Sequence, residues 1–210
     1  MLHCRRGVGV LTALAALVIA GCASSHSPST APAAAARTTS SSAGPAATTT
    51  QIFTPYRRSG APTAGVVAHR SGSCFTKSIT VASTSAYRCL AANAILDPCF
   101  VAPGSTHVLD CYATPWAHAV QLRVVKLPSA NVAAHITRPW ALELTGGRRC
   151  VVTNGTAPIL RGIALGYQCT DGDAGLRGGA AGAVLSALYR ASDGAVATCR
   201  VVTVWRTAAS

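Results

Sequence analysis

Trp140-Ala141-Leu142-Glu143-Leu144, then Thr145-Gly146-Gly147, then Arg148-Arg149-Cys150-Val151-Val152-Thr153: this stretch sets the fold class. Two runs of period two flank a Gly-Gly turn, and that pattern predicts an antiparallel hairpin. Leu142 and Leu144 fall on one face, and Glu143 falls on the other, toward solvent.

The same signal extends in both directions. Toward the C-terminus, Ile163 to Thr170 reads as a strand with Asp171-Gly172 as its exit turn. Gly175 to Gly182 is glycine-rich and reads as an irregular connector. Ala183 to Arg190, Ser192-Asp193-Gly194 and Ala195 to Trp205 form a last hairpin around an Asp-Gly turn. Toward the N-terminus, Gly65 to Val81 is strand-rich, Val108 to Tyr112 is a short strand, and Ala119 to Leu127 alternates until Pro128. Thr84 to Leu96 differs. Ser85 is a candidate cap, and Tyr87, Leu90, Ala91, Ala94 and Ile95 recur at helical spacing before Asp97-Pro98. The expectation is an α+β fold that is mainly β: an antiparallel sheet of hairpins with one helix in the first half. It occupies a single domain, residues 56–210, of the commonest domain size.

The first 55 residues read differently. Met1 to Arg6 carries Arg5 and Arg6, Gly7 to Ala20 is uncharged and mostly apolar, and Ile19-Ala20-Gly21-Cys22 closes the run. A basic start, a short apolar core and small residues at a cut are the marks of an export signal. The run falls short of the roughly 20 apolar residues that a spanning helix needs. Ile19 to Cys22 resembles the lipobox of bacterial lipoproteins. That resemblance implies a signal peptide over residues 1–21, lipidation of the Cys22 thiol, and a place on the outer face of the cell membrane. Plain secretion and a retained anchor are the alternatives, and Arg5-Arg6 leaves both general and twin-arginine export open. Residues 22–55 hold the lipidated cysteine and a tract of Ser, Thr, Ala, Pro and Gly, with only His26 and Arg37 able to carry charge. Such a tract buries too little apolar surface to offset its chain entropy, so it reads as a disordered tether on the order of 30 Å long. Its composition also resembles O-glycosylated stalks.

The chain is 50% hydrophobic, 11% charged and 5% aromatic, with net charge +12. Residues 56–210 hold 13 arginines and 2 lysines against 6 carboxylates, a net +9. The arginines are scattered singly, apart from Arg5-Arg6, Arg57-Arg58 and Arg148-Arg149. Nucleic-acid binders cluster their basic residues and interleave aromatics, so no nucleic-acid partner is expected. The surplus points instead to an anionic wall polymer, lipid headgroup or envelope protein. Arg57, Arg58, Arg148 and Arg149 are the candidate contacts, because adjacent arginines concentrate charge.

Seven cysteines lie beyond Cys4 and Cys22: Cys74, Cys89, Cys99, Cys111, Cys150, Cys169 and Cys199. In an exported domain they read as a disulfide framework. No Cys-x-x-Cys pair supports a zinc site. The landmarks Ser73-Cys74-Phe75-Thr76, Ala86-Tyr87-Arg88-Cys89, Asn93 to Phe100, Trp140 to Leu144 with Cys150, and Tyr167-Gln168-Cys169-Thr170-Asp171-Gly172 resemble a family of secreted or lipid-anchored actinobacterial proteins without an assigned activity. The resemblance covers most of residues 72–172, including six of the seven cysteines, and adds no catalytic residue. With each cysteine joined to its neighbour in sequence, it implies bridges Cys74–Cys89, Cys99–Cys111 and Cys150–Cys169, leaving Cys199 outside them.

Little else points to chemistry. His69, His107, His118 and His135 share no metal-ligand spacing, so no metal is expected. Asp171-Gly172-Asp173 hints at a calcium loop, but Gly182 stands where an acid is needed. The glycine-rich stretch lacks the Lys-Ser/Thr of a phosphate loop, no Gly-x-Ser-x-Gly elbow is present, and no cofactor is implied. Cys199 lies in a Val-rich strand, as a buried inert thiol would. The acids are Asp97, Asp110, Glu143, Asp171, Asp173 and Asp193. A glycosidase needs two of them across a cleft, and Asp110 with Glu143 is the pair to check. The sequence thus leans away from an enzyme. It favours a tethered, non-catalytic binding or accessory protein, with a wall-polymer hydrolase and an inhibitor of a lytic enzyme as alternatives.

Overall fold

A computed structural model describes residues 46–129, 136–177 and 183–208. The signal, Cys22, most of the tether, His135 and most of the glycine-rich stretch lie outside these residues. The described chain is all β, in fourteen strands. Strand β1 is Thr49–Phe53, β2 Val66–Lys77, β3 Ala86–Ala91, β4 Ala94–Val101, β5 Val108–Cys111, β6 Ala119–Val124 and β7 Ala141–Leu144. Then come β8 Arg148–Val152, β9 Ile159–Leu160, β10 Ile163–Ala164, β11 Tyr167–Cys169, β12 Gly172–Arg177, β13 Ser186–Ala191 and β14 Val196–Thr207.

Eleven of these strands close into two barrels rather than the one sheet of hairpins expected; β1 flanks β14, and β9 and β10 pair only with each other. In the first, β2 to β6 pair in chain order, and a parallel β2–β6 pairing closes the ring. The second runs β14-β13-β12-β11-β8-β7 and closes through β14–β7. The length of β14 makes this closure possible. Its first half pairs with β13 and its second half with β7. Closure leaves few open edges, which is how all-β domains avoid pairing with strangers.

The predicted helix over Thr84 to Leu96 is absent. The segment is a hairpin, β3 to β4, turning at Ala92-Asn93. Burial follows a period of two: Tyr87, Cys89 and Ala91 are buried, while Leu90 and Ile95 are exposed. The helical spacing counted Leu90 and Ile95 as core, and they are not. Disulfides tie β3 to β2 and β4 to β5, and the turn uses Ala92 at φ +51° where glycine or asparagine would have announced it.

The disulfides are Cys74–Cys89, Cys99–Cys111 and Cys150–Cys169. Each joins direct partners in an antiparallel ladder. Loops of this size should each contribute roughly 3 kcal/mol by restricting the unfolded chain. Cys199 is a buried thiol inside the second barrel, outside these three bridges.

Each barrel has its own apolar interior. The first holds Tyr87, Leu109, Leu122 and Val124 around two disulfides, and the second holds Leu142, Leu144, Val152, Tyr167, Tyr189 and Val201 around the third. Gly72 is placed for a close approach in the first. A Cβ there would stand 2.2 Å from the Leu90 carbonyl oxygen and 2.9 Å from Leu122 Cδ1.

A third cluster joins the barrels: Phe53, Val81, Ala86, Phe100, Tyr112, Ala119 and Trp140. Phe53 lies in T-shaped contact with Tyr112 and Trp140, each at 5.1 Å. Phe53 belongs to β1, which runs parallel to the end of β14. The ordered chain therefore starts before residue 56, inside the stretch read as tether. The TTQIF run is short and exposed except for Phe53, so local pattern alone carried no strand signal.

Candidate binding site between the barrels

The junction leaves a cleft of about 490 Å³. One wall comes from the first barrel: Ile95, Leu96 and Asp97 on β4, Cys111 and Tyr112 at the end of β5, and His118 and Val120 at the start of β6. The other comes from the second: Val151, Val152, Thr153, Asn154 and Gly155 at the end of β8, and Gln168 on β11. Arg88 on β3 reaches across and donates from its guanidinium to the Asn154 carbonyl at 3.3 Å. A mixed apolar and polar recess of this size, at a junction between two barrels, is of the kind that takes small ligands.

Asp97 is the carboxylate of the lining, and it is already engaged. Ser78 Oγ donates to its Oδ1 at 2.5 Å, Thr80 Oγ1 donates to the same oxygen at 3.0 Å, and the Ile79 N–H donates to Oδ2 at 3.2 Å. These bonds clamp the loop after β2 onto β4. Burial raises the Asp97 pKa, outweighing the three donors and the nearby Arg88, which pull it down. A carboxyl with a raised native pKa contributes stability fully below its unfolded pKa, about 3.9, and loses it as pH rises through the native value. The stability advantage of the native protein over Asp97→Asn should therefore shrink as pH rises from about 4. Urea melts at stepped pH measure this. An advantage that grows with pH would mean that the charged clamp outweighs its burial.

The sequence-level candidates fall in separate places. Arg57 and Arg58 lie in the exposed loop after β1, where Arg57 donates to the Thr63 carbonyl. Arg148 and Arg149 are neighbours on a strand, so they face opposite ways and do not pool their charge. Arg148 pairs with Asp171 at 3.1 Å and lies over the Tyr189 ring. Arg149 lies over Trp116, which meets Trp205 edge-on at 5.3 Å. Asp110 and Glu143 are not a pair across a cleft. Asp110 is buried on β5 of the first barrel, and Glu143 sits on β7 of the second. Burial also raises the Asp110 pKa, against the pull of hydrogen bonds from Gln121 and Tyr56.

Among the described residues, no three His, Cys, Asp or Glu side chains come together as metal ligands. Asp171 and Asp173 bind arginines, the second through Arg190 at 2.7 Å. No protein-family model, curated protein or solved structure matches this chain. Sequence reasoning placed Asp97 before a proline at the end of a helix and did not show which groups it binds. The Ser78-Ile79-Thr80 donors were the available signal, but nothing local showed that they fold back onto β4.

Proposed function

We propose that this is a lipid-anchored protein of the outer membrane face, with a non-catalytic binding role toward an anionic envelope partner. On this reading Cys22 carries the lipid, the chain is one of the exported actinobacterial proteins whose landmarks it resembles, and the two-barrel unit is held clear of the bilayer on its tether.

One observation carries the choice of an anionic partner: the chain's six carboxylates are all occupied within the fold or face an arginine. Asp97 and Asp110 are buried in hydrogen bonds. Asp171 and Asp173 are ion-paired. Asp193 accepts from the Ala195 N–H within its turn, and Glu143 stands across the ladder from Arg149. Two acids are buried and two are ion-paired, and all six stand against fifteen cations in residues 56–210, so the unbalanced charge is positive. A net +9 of this kind raises the local concentration of polyanions and speeds their encounter.

The expected result is that the soluble domain, without the lipidated N-terminus, co-sediments with phosphatidylglycerol vesicles or purified wall at low salt. Several-fold weakening is expected when ionic strength rises past 0.1 M, where the screening length is about 10 Å. Binding that ignores salt, or no binding, removes the support for this reading. Turnover of a wall polymer, abolished by Asp110→Asn or Glu143→Gln, would move the protein to the enzyme class.

A further inference from the structure

A second recess lies on the outer face of the first barrel, away from the cleft. It measures about 260 Å³ and is lined by His69, Arg70, Ser71, Val108, Gln121 and Arg123. The ladder explains the grouping. His69 pairs with Gln121, Ser71 with Arg123, and Val108 with Arg123, so these five side chains share one face of β2, β6 and β5. The recess therefore brings the Arg123 side chain, an imidazole and the Ser71 hydroxyl to one small polar hollow, while Arg70 borders it from the alternate position of β2. None of the six residues is a carboxylate.

The chemistry behind the recess fixes the imidazole. Asp110, 1% exposed, accepts a hydrogen bond from Gln121 Nε2 at 3.3 Å. The Gln121 amide is thereby turned so that its Oε1 faces His69 Nδ1 at 3.1 Å. With the amide turned this way, its oxygen can accept from an N–H at Nδ1. A buried acid, an amide and a histidine thus form a directed chain that ends at the hollow.

We propose that this recess is a phosphate-binding site, with Arg123 and His69 as its main donors and Arg70 and Ser71 completing the lining. The inference rests on the anionic-partner reading and gives it a location. Guanidinium groups match the oxygens of a phosphate two at a time, and a protonated imidazole adds a charged donor. The charged groups around His69 are Arg70 on its own strand, Arg123 on β6 and Asp110 on β5.

Calorimetry on the soluble domain with inorganic phosphate and with sulfate tests the site. The wild type should bind both anions. Arg123→Ser should weaken binding by tenfold or more, and His69→Gln should weaken it several-fold. Arg177→Ser, on β12 of the other barrel, should change nothing. His69 and Arg123 are exposed, so these variants should fold, and competition of free phosphate against vesicle binding by the wild type gives a second readout without mutation. Competition and Arg123→Ser loss on phosphatidylglycerol vesicles would assign the phosphate to a lipid headgroup. Loss confined to inorganic phosphate would assign it to a soluble or polymer-borne group. Failure of the wild type to bind phosphate overturns the site. So does vesicle or wall binding that His69→Gln and Arg123→Ser leave intact, although the broader reading then stands. Absence of phosphate, vesicle and wall binding together overturns both.

Discussion

Trp140→Ala should destabilise the folded chain by about 3–5 kcal/mol, the usual cost of emptying a large aromatic site in a core. Trp140 is 1% exposed and belongs to the cluster between the barrels rather than to either interior. Its ring meets Phe53, and through it β1, while its backbone N–H donates to the Trp205 carbonyl at 2.8 Å and its backbone carbonyl accepts from the Val152 N–H at 3.0 Å. Truncation leaves a void where three parts of the chain meet, and β1 should loosen with it. Trp140→Phe should cost much less. Its indole N–H has no hydrogen-bond partner among the described residues, so removing that buried donor relieves a penalty of about 1–3 kcal/mol while most of the apolar contact stays. Chemical denaturation of both variants measures the difference. For a domain of this size the alanine variant should melt roughly 6–20 °C lower. A small loss with alanine would mean that the barrels hardly depend on their junction.

Cys22→Ala is expected to abolish lipid anchoring of the mature protein. The proposed anchor works by burying acyl chains, at about 0.8 kcal/mol per CH₂, and two or more chains hold a protein firmly. Without the thiol no diacylglycerol is added. The variant should then appear in the medium or accumulate as an uncut precursor. Detergent-phase partitioning and intact mass decide this. A variant that matures to the same mass and still partitions into detergent would refute the lipobox assignment.

Much of the strand content was legible because it is local. The Trp140 to Thr153 hairpin appears as β7 and β8, and the Asp193-Gly194 turn joins β13 to β14, because alternation and glycine turns act over a few residues. The Ala86 to Val101 hairpin was hidden for the same reason. Its turn is Ala92-Asn93, and its exposed Leu90 and Ile95 mimic a helical stripe. β1 was hidden because its partner, the end of β14, lies some 150 residues away, and only Phe53 is buried.

The candidate sites divide in the same way. Charge, the run of residues ending at Cys22, and the cysteine framework are properties of composition and spacing, so the sequence alone determined them. Which charges act together was beyond it. Arg148 and Arg149 are adjacent in the chain and separated by the pleat. His69 and Arg123 are 54 positions apart, and a parallel pairing brings them to one hollow. Strand order and barrel closure depend on pairings between distant segments, whose free energy comes from burying both partners at once. No short stretch of sequence carries that term, so only the tertiary structure decided it.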